Sequence, residues 1–200
     1  MRYFKITGYE EQFGIFEKRI AQILDKKYLK NKTVLEIGCG YGNLLQAFRE
    51  LEYRVIGIDI DNDSGKICKE KNIEFHKCDV EKNRLPFNNN SIDNIVCIHL
   101  MEHLKNIHRF LKECYRILKK QGTIVIVSPN WEKLYKSYWN DPTHVTPISR
   151  IGMKNALIIH NFKILDIKPF KKPDFLKWIW RYYDFPFFMS SKFMIWVGRK

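Results

Sequence analysis

The sequence predicts an α/β fold: a seven-stranded, mostly parallel sheet in a three-layer sandwich, with an antiparallel last strand. Three observations predict it. Short apolar runs alternate with segments of helical period from residue 15 to residue 130. A glycine-rich turn, Gly38, Gly40 and Gly42, follows the first apolar run directly. The last third differs: "FKILDIKPF" and "KFMIWVGRK" read as two strands joined by an aromatic insert with no long helix pattern between them, which makes them an antiparallel final pair.

The elements follow in order. Phe16, Ile20, Ile23, Leu24 and Tyr28 share one face of a helix over residues 15–29. "KTVLEI" is the first strand, and "NLLQAFRELE" is a helix after the glycines. "RVIGIDI" is a second strand, β-branched and bounded by turn residues. Asp61 caps a short helix in "DNDSGKICKEKN". "IEFHKCDV" and "IDNIVCIHL" are the third and fourth strands, separated by the Asn-rich loop "EKNRLPFNNNS". Residues 102–119 carry a helical stripe of Leu104, Ile107, His108, Leu111, Cys114, Tyr115 and Leu118, closing on Lys119, Lys120 and a glycine stop at Gly122. "TIVIVSP" is apolar almost throughout, as a strand covered on both faces should be.

Composition bounds the partners. The chain has 200 residues and a formal net charge of +13, with 35 Lys and Arg against 22 Asp and Glu. Such an excess suits nucleic acid, an anionic membrane surface or a phosphorylated substrate, and equally a lysine-rich solvated surface. The basic residues are scattered, without an arginine-rich arm, so nucleic acid is not the favoured partner. Five cysteines, an odd number with no C-x-x-C pair, argue against a disulfide framework and a zinc knuckle. No metal site is expected, and a reducing, cytoplasmic compartment is the default. No signal-peptide core is present, and no run nears the roughly 18 apolar residues of a membrane span.

Mid-element glycine costs about 1 kcal/mol against alanine, so three at one junction need a reason. A turn beyond the carboxyl end of a parallel strand lets a ligand approach bare backbone and aims N–H groups at it. The spacing G-x-G-x-G departs from the G-x-G-x-x-G of dinucleotide sites. Asp59, ending the second strand, suits a ribose diol in either kind of site, or a plain turn; Asp79, ending the third, suits an adenine amino group or an ordinary strand end.

"VLEIGCGYG", "VIGIDID", "CDVEKNRLPFNNNSIDNIVCIHLMEHL" and "RILKKQGTIVIVSPN" together resemble the successive motifs of class I S-adenosylmethionine-dependent methyltransferases, the type 11 subgroup above all, from Thr33 to Asn130. The resemblance implies a Rossmann-like fold in one domain: a helical cap over 1–32, a cofactor-binding core over 33–130 and substrate-side elements over 131–200. It implies S-adenosyl-L-methionine as cofactor and S-adenosyl-L-homocysteine as product. Glu36, Gly38, Cys39 and Gly40 would line the methionine end, and Gly42 would open the next helix. Asp59 would hold the ribose hydroxyls, Ile60 would lie against the adenine, Asp79 and Val80 would bracket its edge, and His99 would contact the methionyl part. The family's Phe-Asp before the fourth strand is Ile92-Asp93 here.

Three features point to the acceptor. His103, in "MEHL", reads as a catalytic group or as a helix-start residue packed on the glycine loop. Asp141 and His144, in "NDPTHVTPIS", read as an orienter and base pair or as a proline-pinned turn. A D-P-T-H segment recurs in type 11 relatives, many of which carry arginine where Thr146 stands. The stretch 171–189 carries eight aromatics with Lys177 and Arg181 on one edge. It suits peripheral membrane contact, a lid over a lipidic or aromatic substrate, a dimer face, or a helix packed on the sheet. The expected activity is methyl transfer to oxygen or nitrogen of a small-molecule or glycan acceptor, lipid-linked in one version. The alternatives are an RNA methyltransferase and a non-catalytic cofactor-binding scaffold.

Overall fold

The computed structural model describes residues 9–170 and 192–200, with side chains from residue 14 onward. The aromatic stretch 171–189 lies outside the described residues. The strands are β1 (Thr33–Ile37), β2 (Arg54–Asp59), β3 (Glu74–Lys77), β4 (Ile92–Ile98), β5 (Leu118–Pro129), β6 (Lys163–Pro169) and β7 (Phe193–Arg199). They form one sheet of seven strands in the order β3-β2-β1-β4-β5-β7-β6. Pairings from β3 to β5 are parallel; β7 runs antiparallel between β5 and β6. The order reverses between β1 and β4, which is where an open α/β sheet offers a crevice.

Strand alternation divides the core in two. Leu35, Ile37, Ile56, Ile58, Ile124 and Ile126 face α4 (Ile107–Ile117) and α6 (Arg150–Ile159). Val34, Val55, Val96, Val125 and Val127 face α1 (Tyr9–Lys27), α2 (Asn43–Glu50) and α3 (Asn62–Glu70). On α1 the expected stripe is buried at Ile20, Leu24 and, just beyond the helix, Tyr28. Asp61 caps α3 as expected, accepting from Ser64 N at 2.8 Å.

Two boundaries differ from the sequence reading. The helix expected over 102–119 starts at Ile107, because Asn106 caps it by accepting from Arg109 N at 2.9 Å. Glu81 Oε1 also takes the N–H groups of Lys105 and Asn106, at 2.6 and 3.2 Å. Met101–His103 is a separate 3₁₀ turn, so His103 is not at a helix start. At the other end of α4 the basic residue of the last turn is Arg116, and Lys119, Lys120 and Gly122 lie beyond the helix in β5. The chain enters β5 at Leu118 and bulges, with Ile92 pairing Leu118 and Asn94 pairing Thr123. Gly122 lies in that bulge, where a Cβ would meet Asp93 O and Lys119 O at 2.9 Å each. Lys119 pairs with Asp93 at 3.0 Å.

Candidate active site

Beyond the end of β1 the chain folds back over β2. Gly38 N and Cys39 N both donate to Ile58 O, at 2.8 and 3.0 Å. Gly38, Gly40 and Gly42 have φ of +78°, +48° and +71°, a region costly for residues with a Cβ. Gly42 caps α2 in this conformation, and a Cβ there would sit 2.6 Å from Ile73 Cδ1. Above Gly40 the space is open, with nothing among the described residues within 4 Å of where a Cβ would stand.

Asp59 ties this turn to β2: its Oδ2 accepts from Gly40 N at 2.8 Å and its Oδ1 from Asp61 N at 3.0 Å. Ile60 beside it is 59% exposed, a bare apolar face next to a carboxylate. Asp79 accepts from Glu81 N at 3.0 Å and faces Lys82 at 3.3 Å. Burial works to raise its carboxyl, but these partners prevail and hold it below the usual range. Val80 packs half-buried against the core.

The cofactor test falls on Glu36. It is 5% exposed, and its Oε2 has no hydrogen-bond partner among the described residues. Burial, followed by the nearby Glu17, pushes its carboxyl well above the ordinary value. A buried acceptor of this kind is costly unless a cation or donor meets it. A diol acceptor at Asp59, an apolar face at Ile60, open backbone at Gly40 and an unmet carboxylate at Glu36 fit S-adenosylmethionine. The expected Cys39 is buried beside Cys68, and both thiols point at Gly40 O, at 3.7 and 3.6 Å.

The acceptor side grows from the ends of β4 and β5. His99 takes φ +54°, and its N–H bonds Val127 O at 2.9 Å. Its Nδ1 donates to Glu102 Oε1 at 3.1 Å, while Ser128 Oγ donates to Glu102 Oε2 at 2.9 Å. Burial alone would raise Glu102; these two bonds outweigh it and hold the carboxyl below its ordinary value. Leu100, next to this network, lies 3.3 Å from where a Gly38 Cβ would stand, so the two halves of the crevice abut.

The D-P-T-H loop docks onto the 3₁₀ turn. Val145 N and Thr146 N donate to Glu102 O, and Thr146 Oγ1 donates to Leu104 O at 2.5 Å. His144 Nδ1 lies 2.8 Å from Tyr138 O, and His103 Nδ1 lies 3.1 Å from Thr143 O. A carbonyl only accepts, so both Nδ1 atoms carry the proton and both Nε2 atoms present a lone pair in the neutral ring. The rings stand 5.0 Å apart. Asp141 does not occupy the expected orienting position at Nδ1. Its Oδ1 accepts from Thr143 N and Oγ1, at 2.9 and 2.6 Å, and its Oδ2 lies 3.8 Å from His144 Nε2. The tautomer is set by backbone instead. Glu102, His103 and His144 offer ligand atoms within 4.8 Å of one another, though both Glu102 oxygens are engaged by His99 and Ser128.

Two groups escaped the sequence reading. Trp131, Tyr138 and Trp139 form an edge-to-face cluster with centroids 5.2 to 5.8 Å apart, and Tyr138 lies 4.5 Å from the His144 ring. Trp139 is 51% and Tyr135 55% exposed. Their signal was present as four large aromatics in "WEKLYKSYW". Tyr138, which orients His144 through its carbonyl, carried no signal at all, because any residue supplies that atom.

Residues 35–126 match the type 11 methyltransferase family, described as "Methyltransferase domain". A ubiquinone biosynthesis O-methyltransferase of Pelagibacter ubique is 34% identical over 123 residues, 56% of this chain and 47% of that protein. The mitochondrial ubiquinone biosynthesis O-methyltransferase of Rattus norvegicus is 30% identical over 54% of this chain and 34% of its own length. The chain thus matches about a third to a half of the length of these curated relatives. Among solved structures, an S-adenosylmethionine-dependent methyltransferase from Archaeoglobus fulgidus superimposes with a TM-score of 0.74 at 24% identity, covering 96% of this chain and 98% of that one. The geranyl diphosphate C-methyltransferase of Streptomyces coelicolor, solved with S-adenosyl-L-homocysteine, gives 0.72 at 16% identity over 98% of this chain and 85% of that one. In its sheet order, its glycine turn and the family match over residues 35–126, this chain is similar to the class I S-adenosylmethionine-dependent methyltransferases.

Proposed function

We propose that this protein moves the methyl group of S-adenosylmethionine to an oxygen or nitrogen of a small, ring-bearing acceptor, a sugar or an aromatic, with His144 receiving the acceptor's proton. The observation that carries this reading is the His144 tautomer: Nδ1 is committed to Tyr138 O at 2.8 Å, which leaves Nε2 without a hydrogen bond among the described residues. A base needs that lone pair within hydrogen-bond reach of the acceptor. The exposed Trp139 and Tyr135 beside it suit a flat or ring-shaped substrate. The names of the curated relatives favour oxygen as the accepting atom.

The cofactor, when bound, supplies a methyl group already activated on a sulfonium. Asp59, Ile60 and Asp79 hold its nucleoside part in this reading, and Glu36 with the glycine turn holds the methionine part. The rest falls to orientation and exclusion of water, which together remove roughly 7–11 kcal/mol of barrier in favourable cases. His144 Nε2 takes the proton as the acceptor attacks. Asp141 Oδ2, 3.8 Å from that atom, stabilises the imidazolium. His103 Nε2 offers a second acceptor for a neighbouring hydroxyl.

A panel of hydroxylated sugars and phenols with methyl-labelled cofactor tests this. Turnover that His144→Ala abolishes while calorimetric affinity for S-adenosylhomocysteine persists supports it. Binding with no turnover on any acceptor, in wild type and variant alike, supports a scaffold instead. Transfer to RNA in preference to the panel would replace the acceptor class. Lipid linkage and membrane contact through 171–189 remain proposals, tested by vesicle co-sedimentation of Trp178 and Trp180 variants.

A further inference from the structure

Glu17 stands where the core pattern of α1 asks for an apolar side chain. The buried face of the helix runs through Ile20, Ala21, Leu24 and Tyr28, and Glu17 is its next member toward the N-terminus, at i−3 from Ile20 and i−4 from Ala21. Phe16 beside it packs against the same cluster. Across from this face lies β1. Glu36 has the parity of Val34, whose side chain belongs to the α1–α2–α3 side of the sheet. The two carboxylates therefore approach each other from helix and strand. Each has one oxygen, Oε2, that is buried with no hydrogen-bond partner among the described residues.

Two unmet acceptors, one on α1 and one on β1, near enough for Glu17 to act on Glu36, make a receptor for a cation with several donors. A metal ion is the poorer fit, because no further donor among the described residues joins them. An alkylammonium has three N–H donors, enough to meet both oxygens. Resting on the cofactor reading above, we infer that Glu17 is a second binding residue for the α-ammonium group of the methionine moiety, acting with Glu36 so that α1 closes the amino-acid end of the site.

The surroundings agree. The charged and titratable groups around the pair are Asp59 on β2, Cys68 on α3, Cys39 in the glycine turn and Cys97 on β4, all interacting with Glu36, and Lys71 after α3, which acts on Glu17. Lys71 also bonds Tyr41 O and Asn43 Oδ1, at 2.9 and 2.6 Å. Burial dominates, lifting Glu17 from 4.5 to about 7 and Glu36 well above its ordinary value. Without ligand the pair holds protons near neutrality. An arriving ammonium favours the ionised forms, so binding releases protons and tightens as pH rises through neutrality.

Calorimetry of S-adenosylhomocysteine binding to the whole chain, at pH 7 in buffers of different ionisation enthalpy, reads this without any turnover. Wild type is expected to release roughly half a proton or more per ligand. Glu17→Gln is expected to bind about tenfold more weakly and to release measurably less. 5′-Methylthioadenosine, which lacks the ammonium, should bind wild type and Glu17→Gln equally, with no proton release. Glu17→Leu completes the stripe and should raise the melting temperature of the free protein while weakening S-adenosylhomocysteine; this excludes misfolding as the cause. Equal affinities and equal proton release in wild type and Glu17→Gln would overturn the inference, as would a parallel loss for methylthioadenosine. Failure of wild type to bind either nucleoside would overturn the cofactor reading itself, a different result.

Discussion

Glu36 and Glu102 are both buried, 5% and 1% exposed, one on β1 and the other just beyond the neighbouring β4, yet they titrate in opposite directions. Glu102 meets burial with bonds from His99 and Ser128 and stays ionised. Glu36 has an oxygen with no partner among the described residues and is pushed toward the neutral acid. The difference separates two kinds of site construction. The acceptor side is a finished hydrogen-bond network that positions imidazoles. The donor side is a cradle of backbone and unmet carboxylate that becomes complete when its ligand arrives.

The sharpest break between the two halves should come from His144→Ala. Removing a positioned base lowers turnover by about 10²–10⁴-fold. The donor side shares no bond with this ring, so affinity for S-adenosylhomocysteine should stay within twofold of wild type, or roughly 0.4 kcal/mol. Steady-state kinetics beside calorimetry reads both. A parallel fall in affinity would mean that the halves are one unit and the contrast is false.

The second test uses pH. Glu17 is raised from 4.5 to about 7, so its folded value lies above its unfolded one. Its contribution is whole below pH 4.5 and disappears as pH climbs through 7. Glu36 acts in the same direction. Glu102 is depressed, so its contribution is present above its unfolded value and is lost only as pH falls through the folded one. The free protein should therefore lose about 3 kcal/mol between pH 5 and 8 on account of Glu17. Saturating S-adenosylhomocysteine should flatten this loss, and chemical denaturation at several pH values checks it. A stability that rises over that interval would show the donor side to be as finished as the acceptor side.

How far the sequence reaches follows the same division. Gly38, Gly40, Gly42, Asp59 and the β-branched strands were readable because turn geometry and strand period constrain residue type locally. The antiparallel β6–β7 pair was readable because the sequence between the two strands has no long helical pattern. The start of α4 was not, because the N–H groups of Lys105 and Asn106 are met by Glu81, distant in sequence. The bulge over 119–122 imitated a helix end because Lys and Gly suit both. On the acceptor side Asp-x-x-His suggested a carboxylate orienter, while Tyr138 O holds the ring. Glu17 was invisible as well: a glutamate near a chain terminus reads as surface until β1 is placed beside it.

Third in size is Asp59→Ala. The carboxylate holds Gly40 N and is the expected partner of the ribose hydroxyls, so its removal should weaken S-adenosylhomocysteine at least about tenfold, or about 1.4 kcal/mol. The smallest effect belongs to Asp61, two residues on and alike in sequence. It caps α3 by accepting from Ser64 N and Oγ, at 2.8 and 3.0 Å. Asp61→Ala should cost about 1 kcal/mol of stability and leave affinity alone. Thermal melts and calorimetry on the two variants form a crossed pair. Asp59 touches the glycine turn, and among the described residues the Asp61 carboxylate bonds Ser64 of its own helix, so near-identical residues should separate binding from folding. If Asp61→Ala weakened the ligand as much as Asp59→Ala, the cradle would extend into α3, and the donor side would rest on side chains after all.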